Sequence, residues 1–205
     1  MAVVGITLGA SQYITSTAYA DLATDAAALP ERSLGSATAP VTIVEYASLT
    51  CSHCAAFQNE TFDKIKTNYI DTGKVRFVFR DFPLDGTALR AAAMARCMPE
   101  SSYHAFISIL FKNQDAWFKS GDQVKAAAQY AKLGGLNDAD AKACAANEKL
   151  LDAIVAAKTL ATEKYKIEAT PSFLFNDGVE ILSGAHVYDD FAKTIDRLIA
   201  APPKQ

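Results

Sequence analysis

The order of segments between Val41 and Phe82 constrains the fold more than anything else in the chain. The run VTIVEY (41–46) is short, rich in β-branched residues and followed by a loop, which reads as a buried strand. Its alternation puts Val41, Ile43 and Glu45 on one face. From Cys51 to about Tyr69 the spacing turns helical, with Phe62, Ile65 and Tyr69 at i, i+3 and i+7, and Gly73 stops the helix. KVRFVFRDF then alternates Val75, Phe77 and Phe79 against Arg76 and Arg80, a second strand. Strand, helix and strand within about forty residues predict a parallel pair joined by a helical crossover.

The remaining segments fit around that unit. Residues 85–168 read as helical throughout, with YHAFISILF placing Tyr103, Phe106, Ile107, Leu110 and Phe111 on one stripe. A longer helix carries Leu150, Leu151, Ile154 and Val155. PSFLFNDGVEIL predicts two strands around the turn Asn176-Asp177-Gly178, and a helix with Tyr188, Phe191, Ile195 and Leu198 on one side closes the chain. Residues 21–38 read as a lead-in of small residues with little periodicity. The first twenty are apolar and end in Ala18-Tyr19-Ala20, a small-x-small pattern that predicts a cleavable export signal, although no Lys or Arg precedes Arg32. The alternative is a frayed N-terminal segment.

Composition excludes more than it assigns. Hydrophobic residues make up 50% and charged residues 21%, a globular balance, and the net charge of −3 comes with no basic stripe, so nucleic acid is not an indicated partner. The four cysteines are too few for a disulfide scaffold; they form one close pair, Cys51 and Cys54, and two distant singles, Cys97 and Cys144.

At a helix start, Cys51 and Cys54 share one face at a Cα separation of about 5–6 Å, which a disulfide can span. Cys51 meets the unpaired N–H groups and positive dipole end of the helix, which favour a thiolate, while Cys54 lies a turn deeper. An imidazole at His53 further favours the anion. If the thiol pKa falls from about 8.5 to about 4.5, the reduced form gains roughly 3.4 kcal/mol at pH 7. That raises a two-electron potential by roughly 70 mV, so the disulfide is an oxidant. Half of a zinc site would need two more ligands at a second short spacing, and a permanent structural bridge here would restrain almost no loop.

The residues EYASLTCSHC, the long helical stretch and EATPSFLF together resemble the DsbA family of thiol:disulfide oxidoreductases. The resemblance covers about Ala39 to Ala200 and implies an α/β, thioredoxin-like fold interrupted by an inserted α-helical domain. After the signal (1–20) and lead-in (21–38) read above, it divides the chain into a thioredoxin-like domain (39–84 and 169–205) and a helical insertion (85–168). It makes Cys51 the attacking and Cys54 the resolving cysteine. His53 stands where the family's CPHC histidine stands, and Ser52, in place of the family's proline, tunes the potential. Thr170 and Pro171 match the cis-proline loop that binds substrate, and Glu45 the acidic residue beneath the site. A carboxyl on that strand face is drawn into the core; the plainer reading is a strand-end glutamate in solvent.

The function so implied is periplasmic introduction of disulfides into reduced, exported proteins, with reoxidation by a DsbB-like membrane partner. It needs no organic cofactor or metal, and a monomer suffices. The alternatives are a disulfide isomerase or reductase of the DsbC, DsbG or ScsC kind, or a redox-inactive, chaperone-like binding module. In an oxidising compartment Cys97 and Cys144, on separate predicted helices, are expected to pair as a structural disulfide. The alternative is two buried thiols that never meet.

Overall fold

The computed structural model describes residues 29–201; the predicted export signal lies outside them. Five strands form one mixed sheet in the order β1-β3-β2-β4-β5: β1 (Arg32–Leu34), β2 (Val41–Ala47), β3 (Val75–Asp81), β4 (Ser172–Phe175) and β5 (Glu180–Ser183). β2 and β3 run parallel in the register Glu45↔Phe79, while β4 pairs antiparallel with β2 (Glu45↔Phe173) and β5 antiparallel with β4.

The helix between β2 and β3, α1, is not uniform. α-Helical turns at Ser52–Ala56 and Phe62–Ile65 alternate with wider π turns at Phe57–Thr61 and Lys66–Ile70. The first π turn buries Phe57 and Gln58 side by side; π turns are frequent near functional sites. Asp85 starts the helical stretch as an N-cap, its Oδ1 accepting from Ala88 N at 2.8 Å. Six α-helices follow: α2 (Gly86–Arg96), α3 (Glu100–Lys112), α4 (Gln114–Phe118), α5 (Gln123–Ala131), α6 (Asp138–Ala145) and α7 (Glu148–Tyr165). The last helix, α8 (Tyr188–Ala200), follows β5.

The alternation read along β2 and β3 separates the two faces of the sheet. Val41, Ile43, Phe77 and Phe79 join a large core with α1, α3 and α8, in which Phe191 packs against Phe57 and Phe173 at ring separations of 5.2 and 4.7 Å. Val44, Tyr46, Val78 and Leu174 form a smaller cluster on the other face, capped by Ala161 of α7 and by Ile167. The stripe Tyr103, Phe106, Ile107, Leu110 and Phe111 is buried throughout. In α7 only Leu150 and Ile154 of the expected four are core; Val155 is 44% exposed, and Ala153 and Ala161 complete the buried side.

The lead-in is a correction. Residues 32–34 form an edge strand antiparallel to β3, with Arg32 opposite Phe79. Three residues are too few to show a period, and the pairing is made by backbone groups that any sequence supplies. Arg32 is buried, its Nη2 donating to Arg96 O at 3.3 Å and its guanidinium 5.2 Å from the Tyr103 ring centre. Gly35 makes the turn that follows at φ +87°, where an added Cβ would sit 2.4 Å from Val75 O. In the β4–β5 hairpin Asn176, Asp177 and Gly178 all take positive φ, the left-handed turn that these residue types favour.

Candidate active site

β2 ends at Ala47, and a three-residue loop delivers Cys51 to the N-cap of α1 with extended backbone (φ −81°, ψ 121°). Polar contacts from distant segments hold that loop. Gln114 Nε2 donates to Leu49 O at 2.8 Å and to Cys51 O at 3.0 Å. Thr50 Oγ1 donates to Asp85 Oδ2 at 2.6 Å, and Leu84 N to Ser48 Oγ at 3.3 Å. The helical segment thus grips the strand-to-helix turn from both sides.

Both cysteines stand as thiols, Cys51 half-buried and Cys54 fully buried in the core. The surroundings drive them apart. Cys51 is lowered to about 5, first by a hydrogen bond from the Cys54 thiol, then by Thr170 and the backbone N–H groups of Cys54 and His53, against a burial penalty. Burial above all pushes Cys54 up, helped by its hydrogen bond to Cys51 and by the charges of Glu45 and Cys51. While protonated, Cys51 Sγ donates to Thr170 O at 3.3 Å, across the cis Thr170–Pro171 bond from β4. The buried Thr170 hydroxyl itself has no hydrogen-bond partner among the described residues.

Glu45 lies beneath this pair, fully buried between Phe79 and Phe173 on the neighbouring strands. Burial raises its carboxyl to about 8; Gln58 opposes the rise by donating to Oε2 at 2.9 Å, and the Cys51 charge adds to it. A carboxyl with this value can hold or release a proton near neutrality.

The residues flagged in the sequence are therefore brought together unequally. Cys51, Cys54, Glu45, Thr170 and Pro171 converge. The His53 side chain is exposed, and its backbone N–H is among the groups that favour the Cys51 thiolate. The reason is position, since the second residue after an N-cap aims its amide at the cap while its side chain leaves the helix outward. Ser52 opens the helix with an exposed side chain. Cys97 and Cys144 are bridged to each other, Cα atoms 6.4 Å apart, within the helical segment.

Sequence reading missed Gln58 and Gln114. Gln58 follows Cys54 at i+4, on the same helix face, so spacing alone could have found it. Gln114 is 63 residues from Cys51 and carried no signal. Among the described residues no group of His, Cys, Asp and Glu could hold a metal ion, and no helix is long and apolar enough to cross a membrane. A groove of about 280 Å³ beside the site is lined by His53, Phe57, Lys64, His186 and Tyr188. The larger cleft, about 660 Å³, lies away from the thiols between α7 and the outer face of β2 and β3.

A family model described as Thioredoxin matches residues 28–197. The crystal structure of alpha-DsbA1 from Wolbachia pipientis is 35% identical with a TM-score of 0.75, over 82% of this chain and 90% of that one. Disulfide bond formation protein D of Bacillus subtilis is 28% identical over 175 residues, 80% of this chain and 75% of that protein. A Rickettsia typhi protein named as a protein-disulfide oxidoreductase is 32% identical over 167 residues, 81% of this chain and 61% of its own length. The chain spans about three fifths of the length of the Rickettsia relatives it matches. With a Cys51–Cys54 pair at the start of α1, a cis Thr170–Pro171 bond beside it and this sheet order, the chain belongs to the DsbA family of thioredoxin-fold proteins.

Proposed function

We propose that this protein is a thiol:disulfide oxidoreductase that works in the periplasm as a dithiol oxidase, inserting disulfides into reduced, exported proteins as a monomer. The observation that carries this reading is the opposite displacement of two neighbouring thiols, Cys51 down to about 5 and Cys54 upward. A stabilised Cys51 thiolate is a good leaving group and favours the reduced protein, so the closed disulfide is readily given away.

A substrate thiolate attacks Cys51 Sγ; the Cys51–Cys54 bond breaks and Cys54 leaves, taking a proton from Glu45. A second substrate thiolate attacks the substrate sulfur of the mixed disulfide and expels Cys51 as thiolate. The substrate is oxidised by two electrons and the protein is reduced by two. A DsbB-like membrane partner restores the disulfide. Thr170 presents its backbone beside Pro171 to the bound chain, and the groove along His53 and Tyr188 extends that surface. In the same reading the thioredoxin-like unit (39–84 and 169–205, joined by β1) does the chemistry, and the insertion (85–168) braces it through Gln114 and Asp85.

Refolding separates oxidase from isomerase. Reduced, denatured ribonuclease A given the oxidised protein is expected to gain disulfides quickly, whereas scrambled ribonuclease given the reduced protein is expected to recover slowly. The reverse pattern would make it an isomerase, and inactivity in both assays with Cys51 and Cys54 intact would leave a binding module.

A further inference from the structure

Glu45 presents two oxygens that are not equivalent. Oε2 accepts from Gln58 Nε2 at 2.9 Å, whereas Oε1 is fully buried with no hydrogen-bond partner among the described residues. Gln58 is itself buried, set into the core by the first π turn of α1, and sits at i+4 from Cys54. A buried oxygen without a donor is costly while the carboxyl is charged, so Oε1 is the oxygen on which a proton is best held. An amide held this way can donate to a carboxylate but cannot take its proton.

The geometry points to Gln58 as a positioning residue for proton transfer: it clamps Oε2 of Glu45 and leaves Oε1 as the atom that exchanges the proton with Cys54. This rests on the thiol-exchange reading and deepens it. The other titratable groups facing Glu45 are Cys51 and Cys54 at the start of α1 and Tyr103 of α3, around which Arg32, Asp81 and Arg96 gather. Its strand partners, Phe79 and Phe173, carry no charge. Gln58 is therefore the one neighbour that holds the carboxyl by a neutral hydrogen bond among those described. Its donation favours the charged carboxyl, against the burial that favours the neutral one. Losing it moves the pH range in which Glu45 can act as a base.

The step to measure is the closing of Cys51–Cys54 on a mixed disulfide. Reduced protein reacts with glutathione disulfide at Cys51, releasing one glutathione. Cys54 then gives its proton to Glu45 Oε1 and attacks Cys51 Sγ; the Cys51–glutathione bond breaks and the second glutathione leaves as thiolate. The rate of that second phase, followed from pH 5 to 9, reports the ionised fraction of Glu45. In Gln58→Met, of similar shape without the donor, the profile is expected to move up by about one pH unit, so that closing is about tenfold slower on the acid limb and normal on the alkaline one. Gln58→Leu, which also lacks the donor, is expected to move it in the same direction and serves if the Met variant does not fold. The carboxyl of Glu45, titrated by carbon-13 NMR in the oxidised protein, is expected to move with it. A Gln58→Met profile that superimposes on wild type, or one lowered equally at every pH, would overturn the role of Gln58. Loss of reaction with glutathione disulfide in the wild-type protein would instead overturn the thiol-exchange reading. Glu45→Gln separates the remaining link: it should flatten the profile, and if it closes at the wild-type rate Glu45 does not carry the proton and Gln58 positions no proton carrier.

Discussion

The two cysteine pairs of this molecule share an element type and little else. Cys51 and Cys54 are three residues apart on one helix, half-buried and buried, with a lowered thiol facing a raised one. Cys97 and Cys144 are 47 residues apart, both buried, and join the end of α2 to α6. A bridge that closes a three-residue span restrains almost none of the unfolded chain, so its making and breaking leaves the fold intact. A bridge across the helical segment restrains much of it. What makes one pair suited to exchange and the other to bracing is thus loop length together with local electrostatics.

Breaking the first pair should have the largest effect. Cys51→Ser is expected to reduce disulfide transfer to reduced ribonuclease by at least about a thousandfold, since a hydroxyl supplies no thiolate. Transfer above a tenth of the wild-type rate would mean that another thiol carries the reaction.

The second pair should answer in the opposite way. For a loop of this length the chain-entropy model gives roughly 4 kcal/mol, an upper figure. Replacing both Cys97 and Cys144 by Ala is expected to remove about 2–4 kcal/mol of stability in denaturant titrations while leaving Cys51 exchange within about twofold. If the substitution slowed exchange and spared stability, the two pairs would have to trade roles.

The contrast also predicts how stability follows pH. Cys51 sits at about 5, below the ordinary thiol range, so its contribution is present above about pH 8.5 and is lost as pH falls through 5. Glu45 is raised from 4.5 to about 8, so its contribution is present below pH 4.5 and is lost as pH rises through 8. In the reduced protein the two slopes oppose one another between pH 5 and 8; closing Cys51–Cys54 removes the first and leaves the second. Reduced protein is therefore expected to gain stability relative to oxidised protein as pH rises across that window, by an amount that solvent screening at half-exposed Cys51 reduces. Denaturation midpoints of both forms at pH 5 and pH 8 measure it, and a constant difference would remove the electrostatic asymmetry.

The smallest effect is expected at His53. Because its backbone N–H faces the sulfur and its side chain is exposed, His53→Ala should raise the pKa of Cys51, followed by alkylation, by less than roughly half a unit. A rise of a full unit would return the imidazole to the role suggested by sequence.

Much of this was legible in the chain before any coordinates. The alternation of VTIVEY and KVRFVFRDF, the stripe from Tyr103 to Phe111 and the Asn-Asp-Gly turn depend on period and on backbone preference, which are local properties. Glu45 on the inward face of β2 and Cys51 at a helix start follow from the same local rules. The sequence alone did not show β1, because three residues have no period and edge pairing is read by the backbone. Nor did it show the shortened core side of α7, where Val155 escapes burial because helix packing, not spacing, decides which part of a stripe is covered.

The amino-acid order by itself determined the chemistry available: two thiols one helical turn apart, an acid on the strand before them, and a Thr-Pro step ahead of β4. The tertiary structure alone decided how that chemistry is tuned. Gln114 reaches Leu49 and Cys51 from the helical segment, Thr170 meets Cys51 from across the sheet, and Gln58 takes one oxygen of a carboxyl enclosed by Phe79 and Phe173. Desolvation and hydrogen bonding depend on what lies within a few ångströms in space, whereas sequence spacing records what lies nearby along the chain.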